Sequence, residues 1–219
     1  MQEYQINNNL NINSTIDTAT NTTLNNWGPY ILNTSVDKKF SKKLLEEGNK
    51  ISEQYGVKKN LASRISRVRK FNDELWISEG LIPYVNEWLE GWNNFSRKSF
   101  YPKDANLSSV WINYQEAGEH NPEHIHSSAD LSFVIFLKIP KEIEIEFNNF
   151  HVIKQHAFYP PGSIFFNYGE YHRLAVGGRY LCPKENSILM WPGYLRHGVT
   201  PFDFMGTRIS VAGNISFLD

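Results

Sequence analysis

From Ser108 to the C terminus the sequence takes on a strand-like pattern, and this change constrains the fold more than any other feature. Short runs rich in Val, Ile, Phe, Tyr and Trp are separated by Gly, Pro and Asn, and we interpret them as strands: WINY, SFVIFLKI, IEIEF, FHVI, SIFFNY, SILMWP and RISVAGNISF. No convincing helix interrupts them, which excludes βαβ units. The pattern predicts a mainly β fold, an antiparallel sandwich or barrel.

The N-terminal half predicts two helices that pack on this β-rich part. The first has a candidate cap at Ser35, and its apolar spacing continues until Gly56 supplies a stop. The second begins near Ser78 and carries a cleaner apolar stripe to Phe95, with Pro83 early enough to be tolerated. Its aromatic residues are interpreted as core packing.

The length of 219 residues suits one well-buried domain. Residues 1–26 are rich in Asn and Thr, and we interpret them as a loose polar arm, with a docked edge strand as the alternative. Residues 27–219 are expected to form a single domain, with a helical part over 35–100 and a β core over 108–217.

Composition excludes several classes of protein. With 22 Lys+Arg against 23 Asp+Glu, no overall field attracts nucleic acid or an anionic membrane. The basic run from Lys58 to Lys70 is interpreted as a solvated face. Cys182 is the single cysteine, which rules out an internal disulfide and a thiol-based zinc site and favours a cytoplasmic location. No stretch is long and uncharged enough to span a bilayer.

A His-x-His pair at His124 and His126 precedes the apolar run LSFVIFLKIP. Residues i and i+2 of an extended chain point to the same side, so both imidazoles can reach one metal ion while Ile125 faces away. Such a pair alone is weak evidence. The other histidines, His120, His151, His156 and His172, are interpreted as surface or loop residues.

The C-terminal end sharpens the metal hypothesis. A third histidine, His197, follows a predicted strand, and Arg208 and Ser210 lie on the last strong strand. Three ligands on one face of iron leave three positions open, two for a chelating 2-oxo acid and one for oxygen. The far carboxylate of such an acid, removed from water, needs a permanently charged planar partner and a nearby hydroxyl.

The segments HNPEHIHSSADLSFVIFLKIP, RHGVTPF and RISVAGN resemble the 2-oxoglutarate/Fe(II) oxygenases of bacteria and tailed phages, which are relatives of the prolyl 4-hydroxylases. The resemblance covers about residues 111–217 and extends loosely to WGPYI near Trp27. It implies a double-stranded β-helix, or jelly roll, with Fe(II), 2-oxoglutarate and O2 as cofactor and co-substrates. It also implies that His124 and His197 bind iron.

The same resemblance implies that Arg208 and Ser210 bind the distal carboxylate of 2-oxoglutarate, with Tyr114 as a second hydroxyl donor. One departure concerns the third iron ligand. Many relatives carry His-x-Asp, whereas this chain has His126, and three neutral imidazoles leave the metal its full double charge. Asp130 is the alternative carboxylate, but it would require a bulge or turn, so we favour His126.

Three functions compete at this point. The leading one is an oxygenase that hydroxylates an unactivated C–H bond and releases succinate and CO2. A cupin-type metal enzyme that does not use 2-oxoglutarate is opposed by the spacing of Arg208 and Ser210 from His197. A non-enzymatic jelly-roll module would make that coincidence accidental. The substrate is a small molecule or a protein side chain; nucleic acid is not indicated, and the location would be the host cytoplasm for a phage-encoded chain.

Overall fold

A computed structural model describes residues 28–52, 63–72, 74–150, 159–170, 172–173 and 177–218. The arm expected over residues 1–26, Trp27, His151 and His156 lie outside these ranges. The chain forms β1 (Leu32–Ser35), α1 (Lys38–Lys50), β2 (Arg67–Lys70), α2 (Leu75–Ser96), β3 (Asp104–Gln115), β4 (Asn121–His124), β5 (Leu131–Lys138), α3 (Lys141–Asn149), β6 (Ile164–Asn167), β7 (Gly178–Leu181), β8 (Ser187–Pro192), β9 (Arg196–Val199) and β10 (Arg208–Leu218).

The strands form two antiparallel sheets, as the alternating runs predict. The larger sheet has the order β1-β8-β5-β10-β3-β2, and the smaller one has the order β4-β9-β6-β7. Their facing sides enclose a core that includes Phe136, Phe166 and Trp191. The outer face of the larger sheet is covered by α1 and α2, in a second core that includes Leu44, Leu81 and Phe133. The mainly β architecture with N-terminal helices packed on it is therefore confirmed.

Strand β10 runs through the middle of the larger sheet and decides which side chains enter the space between the sheets. It pairs with β3 over its whole length and with β5 over residues 209–215. Because side chains alternate along a strand, Arg208, Ser210 and Ala212 face the interior, whereas Ile209 and Val211 face the helices.

Helix α1 begins later and ends earlier than the sequence indicates. Ser35 ends β1, and the cap is Asp37, whose carboxylate accepts the backbone N–H groups of Lys39 and Phe40. The helix ends at Lys50; Tyr55 and Gly56 lie outside the described residues.

Helix α2 also begins earlier than expected, at Leu75 rather than near Ser78. Pro83 therefore lies in its interior, where it removes one backbone hydrogen bond, and it is exposed on the face away from the sheet. The buried positions Ile77, Leu81, Val85 and Trp88 follow the helical period.

The run IEIEF, expected to be a strand, is helix α3, so the expectation that no helix interrupts the β half was wrong. Pro140 immediately precedes the helix, and Glu142 and Glu144 lie in its first turn, where carboxylates are favourable. Ile143 is its one fully buried residue, so the segment does not bury every second side chain as a sheet strand would. Among the described residues, no helix is long and apolar enough to cross a membrane.

Candidate active site

Three histidines meet between the sheets. His124 is the last residue of β4 and is paired in register with His197 on β9, while His126 follows β4 by two residues. The ring centroids are 4.3 Å apart for His124 and His197, 5.0 Å for His124 and His126, and 5.2 Å for His126 and His197. One ring nitrogen from each lies within 4.8 Å of the others. This spacing suits three ligands of one metal ion.

Backbone carbonyls fix the orientation of two of these rings. The Nδ1 of His124 lies 2.8 Å from the Pro122 oxygen, and the Nδ1 of His197 lies 2.8 Å from the Leu195 oxygen. The Trp191 Nε1 is also 3.2 Å from the His197 Nδ1, but that atom cannot donate to the carbonyl and accept from the indole together. The shorter carbonyl contact assigns the proton to Nδ1, which leaves Nε2 free to bind a metal.

The third ring, His126, is held by the side chain of Asn214. The Asn214 Nδ2 lies 3.4 Å from the His126 Nδ1, and the Asn214 Oδ1 accepts from Ser132 Oγ at 2.9 Å. A serine hydroxyl can donate or accept, so the amide can turn over and let its oxygen accept from a protonated Nδ1. In that arrangement the His126 Nε2 is a free ligand atom.

Two of the three histidines, His126 and His197, are held neutral by their surroundings. Burial, together with the neighbouring His124, lowers the pKa of His126 to about 4 and that of His197 to about 3. An imidazole binds metal only when it is deprotonated, so both rings are in the ligand form at neutral pH.

Asp130, the alternative third ligand, is not brought to this cluster. Its Oδ2 accepts the backbone N–H of Phe217 at 2.7 Å, and its side chain is exposed. Within the described ranges, the group with His124 and His197 that could hold a metal ion is completed by His126.

Arg208 lies in the same pocket as the histidines, and it is only 2% exposed. Its Nη1 donates to the Gln115 Oε1 at 3.1 Å and to the Gly162 oxygen at 3.3 Å. Its carbon Cζ lies 5.1 Å from the centre of the Phe136 ring, and its Nε has no partner. The guanidinium therefore keeps unused donor capacity in a buried position.

No carboxylate of the described residues lies within ion-pairing distance of Arg208. Burial without a compensating anion lowers the pKa of Arg208 to about 10, so the group is still protonated at neutral pH. A buried, unpaired cation is unfavourable, and a bound anion would relieve that cost.

Ser210 is placed as the sequence indicates, but Tyr114 is not. Ser210 is buried and lines the pocket two residues beyond Arg208. Tyr114 points to the opposite face of β3, where its hydroxyl donates to the Asn49 Oδ1 at 2.8 Å. Tyr114 therefore lies outside the pocket, because the residues of β3 that face inward are 111, 113 and 115.

Asn113 is the pocket residue that the sequence reasoning missed. It is paired in register with Ser210, is 5% exposed, and its Oδ1 has no hydrogen-bond partner. Asn121 also lines the pocket with an unpartnered Oδ1. Its place follows from the register of β3 against β10, since the residues opposite Arg208 and Ser210 in an antiparallel pair must share their face, and the sequence of β3 alone does not contain that register.

Residues 109–214 match the family model described as "Putative 2OG-Fe(II) oxygenase". No curated protein has significant sequence similarity to the chain.

Solved structures share the fold. The chain is similar to an oxidoreductase of the 2OG-Fe(II) oxygenase family from Burkholderia pseudomallei, with 12% identity, a TM-score of 0.54, and 86% of this chain and 84% of that chain covered. It is similar to the viral collagen prolyl hydroxylase of Paramecium bursaria Chlorella virus-1, with 14% identity, a TM-score of 0.51, and 86% and 96% covered. A prolyl hydroxylase from Trichoplax adhaerens, bound to a hypoxia inducible factor peptide, gives 12% identity, a TM-score of 0.51, and 88% and 84% covered.

These neighbours confirm the jelly roll. The family match also decides against the cupin-type enzyme and the non-enzymatic module. Residues 109–214 thus match the 2OG-Fe(II) oxygenase family, which depends on iron(II), 2-oxoglutarate and O2, on a fold that the prolyl 4-hydroxylase structures share.

Proposed function

We propose that this oxygenase hydroxylates an unactivated C–H bond, with His124, His126 and His197 as the iron ligands. Arg208 binds the distal carboxylate of 2-oxoglutarate, and Ser210 donates a neutral hydrogen bond beside it. The observation that carries the proposal is a buried guanidinium without an anionic partner in the same pocket as three clustered imidazoles.

The donor set fits an iron(II) ion and a dicarboxylate. Two Nδ1 atoms are occupied by backbone carbonyls, and the third faces an amide, which directs the remaining nitrogens toward one another. Arg208 can offer a paired hydrogen bond because one edge of its guanidinium carries the unpartnered Nε. A pocket built only for packing would have no need of clustered imidazole nitrogens or of a guanidinium with free donors.

When bound, iron(II) and 2-oxoglutarate activate O2, so that one oxygen atom enters the substrate and the other enters succinate as CO2 is released. The protein itself holds the iron ligands and the co-substrate in position and excludes water from them. The carbonyls of Pro122 and Leu195 hold the protons of His124 and His197 on Nδ1. Arg208 fixes the far end of the co-substrate, and the apolar neighbours Phe136 and Trp191 limit water around it.

Residues 27–219 are proposed to act as one domain in the cytoplasm, on a small molecule or a protein side chain. The single cysteine, Cys182, and the near-neutral net charge of −1 support the location and disfavour nucleic acid as substrate. Both substrate classes have support among proteins of similar fold, because the Trichoplax adhaerens prolyl hydroxylase is bound to a peptide and HygX from Streptomyces hygroscopicus is bound to hygromycin B.

Incubation of the protein with iron(II), 2-oxoglutarate and O2 tests the function through the release of succinate and CO2. A mass-spectrometric search for a product heavier by one oxygen atom then identifies the substrate. Succinate release that is the same in the wild type and in Arg208→Ala would contradict the assignment of Arg208.

A further inference from the structure

A groove of about 400 Å³ lies beside the candidate active site, on the helix side of the larger sheet. His126 lines both this groove and the pocket that contains Arg208. The volume is in the range of small-molecule sites in proteins. His126 therefore borders both the groove and the metal end of the active site.

One wall of the groove is a row of four aromatic rings, which we call the aromatic row: Trp88, Trp92, Phe100 and Phe217. Trp88 and Trp92 are stacked with centroids 6.2 Å apart, Trp92 meets Phe100 edge-on at 5.9 Å, and Phe100 meets Phe217 at 5.5 Å. The partly exposed rings of Trp92, Phe100 and Phe217 can contact an apolar stem or a cation, whereas Trp88 is buried and supports them from the core.

The opposite wall is the segment of residues 126–130, which carries His126 into the active site. Gly193 holds this segment, since its carbonyl accepts the His126 N–H at 2.8 Å and its N–H donates to the Asp130 carbonyl at 2.9 Å. A side chain at position 193 would collide with the carbonyl oxygens of Ala129 and His126. The segment that carries His126 is thus firmly placed at the edge of the groove.

The charge of the groove has one sign. Asp130 lies at its edge with an exposed carboxylate, which accepts a hydrogen bond from the Phe217 N–H. No lysine or arginine is among the described residues that line the groove, and none of them forms an ion pair with Asp130. An aromatic wall opposite one carboxylate is complementary to a cation on an apolar stem.

We propose that this groove binds the organic substrate of the oxygenase through a protonated amine or guanidinium carried on an apolar stem. The cationic end lies between Asp130 and the aromatic row, and the rest of the substrate extends past His126 toward the metal. The proposal rests on the proposed function, because it assigns the groove to the substrate of that reaction.

Charge also decides against the N-terminal segment of this chain as the occupant. Residues 1–26 contain no lysine or arginine, so they offer Asp130 no side-chain cation. Their Asn-rich and Thr-rich composition equally supplies few groups for the aromatic row.

The test uses the full-length protein loaded with manganese(II) and 2-oxoglutarate, which prevents turnover. Calorimetric titration compares three probes of similar shape: benzylamine, which is protonated at neutral pH, neutral benzyl alcohol and anionic phenylacetate. We expect benzylamine to bind about tenfold more tightly than benzyl alcohol, and phenylacetate to bind least. Equal affinity for the three probes would overturn the proposal.

Two variants and one control locate the effect. Asp130→Asn keeps an acceptor for the Phe217 N–H and removes only the charge, so it should reduce the preference for benzylamine to about twofold or less. Trp92→Ala should weaken benzylamine and benzyl alcohol together. Glu90→Gln removes a carboxylate from the exposed face of α2 and should leave all three affinities unchanged. A preference for the cation that survives Asp130→Asn contradicts the assignment.

Two further measurements separate the remaining outcomes. A variant lacking residues 1–26 should bind benzylamine as the full chain does; tighter binding after the deletion would make the N-terminal segment the occupant. Probe binding that weakens as a dimer forms would make a second copy the occupant. Cation-selective binding without succinate release with iron(II) would overturn the proposed function, whereas succinate release without cation selectivity would overturn the groove proposal alone.

Discussion

The two ends of the active-site pocket differ in how completely this chain satisfies its own polar groups. At the metal end, the Nδ1 atoms of His124 and His197 contact backbone carbonyls, and that of His126 faces Asn214. At the other end, Arg208 has two neutral acceptors, an unpartnered Nε and no carboxylate.

The two ends therefore differ in the free energy that burial of their polar groups costs before a ligand binds. His126 and His197 are neutral, so burying them is tolerable without a metal. The guanidinium stays charged when buried, so it is unfavourable until an anion enters. We expect substitutions at the metal end to act on metal affinity and substitutions at the Arg208 end to act on co-substrate affinity.

The largest expected effect is at the metal end. His124→Ala, His126→Ala and His197→Ala should each abolish tight iron(II) binding while the fold survives, because two imidazoles hold a labile divalent ion poorly. Anaerobic calorimetric titration with iron(II) or manganese(II) measures this. Asp130→Asn is the matched control and should change metal affinity little, since its carboxylate contacts Phe217 instead. If Asp130→Asn weakened metal binding more than His126→Ala did, the third ligand would be a carboxylate.

Arg208→Ala should have the next largest effect, and it should spare the metal. Leaving a buried charge without its partner typically costs about 3–5 kcal/mol. The affinity for 2-oxoglutarate should therefore fall by roughly two to three and a half orders of magnitude, at about 1.4 kcal/mol per tenfold. Titration of the manganese(II)-loaded protein with 2-oxoglutarate checks it.

Arg208→Lys and Arg179→Ala complete that measurement. Lysine keeps the charge and loses the planar fork, so its affinity should lie between those of Arg208→Ala and the wild type. Arg179 is an exposed arginine on β7, and its removal should leave 2-oxoglutarate affinity unchanged. Equal affinity in Arg208→Ala and Arg179→Ala would mean that Arg208 does not bind the co-substrate.

Much of the site could be predicted because it follows from spacing along single strands. The i, i+2 relation of His124 and His126 and the relation of Arg208 to Ser210 need only an extended chain. The inward face of β3 could not be predicted from its own sequence, since it is buried on both sides from Ile112 to Gln115. That is why Tyr114 was expected in the pocket where Asn113 lies.

The errors in the fold have a similar origin. IEIEF alternates like a strand, yet the preceding Pro140 and the acidic first turn favour the short helix α3. At α1, both Ser35 and Asp37 are suitable caps by residue type. The pairing of Ser35 with Ser187 in β8 excludes it from the helix, and no local pattern contains that long-range contact.

Acid should destabilise the metal-free protein through the metal end. His126 and His197 have lowered pKa values in the folded state, about 4 and about 3, against an ordinary 6.5. Below pH 6.5 the unfolded chain therefore binds protons that the folded chain excludes, and stability falls as pH is lowered toward those values. Between pH 6.5 and pH 5 the loss should be on the order of 2 kcal/mol per histidine. Thermal melts across this range measure it, and a flat profile for the wild type would contradict the burial of neutral rings. His197→Gln should flatten part of the slope.

The smallest expected effect, that of Ser210→Ala, refines the comparison at the Arg208 end. Ser210 would supply one neutral hydrogen bond beside the guanidinium, and such a bond contributes about 1 kcal/mol. The affinity for 2-oxoglutarate should thus fall about fivefold, with metal affinity unchanged. Ser216→Ala is a control on the same strand, because its hydroxyl donates to the Ser128 carbonyl outside the pocket. A loss as large as that of Arg208→Ala would mean that the anion is held mainly by neutral donors, and the unpaired charge of Arg208 would then need another partner.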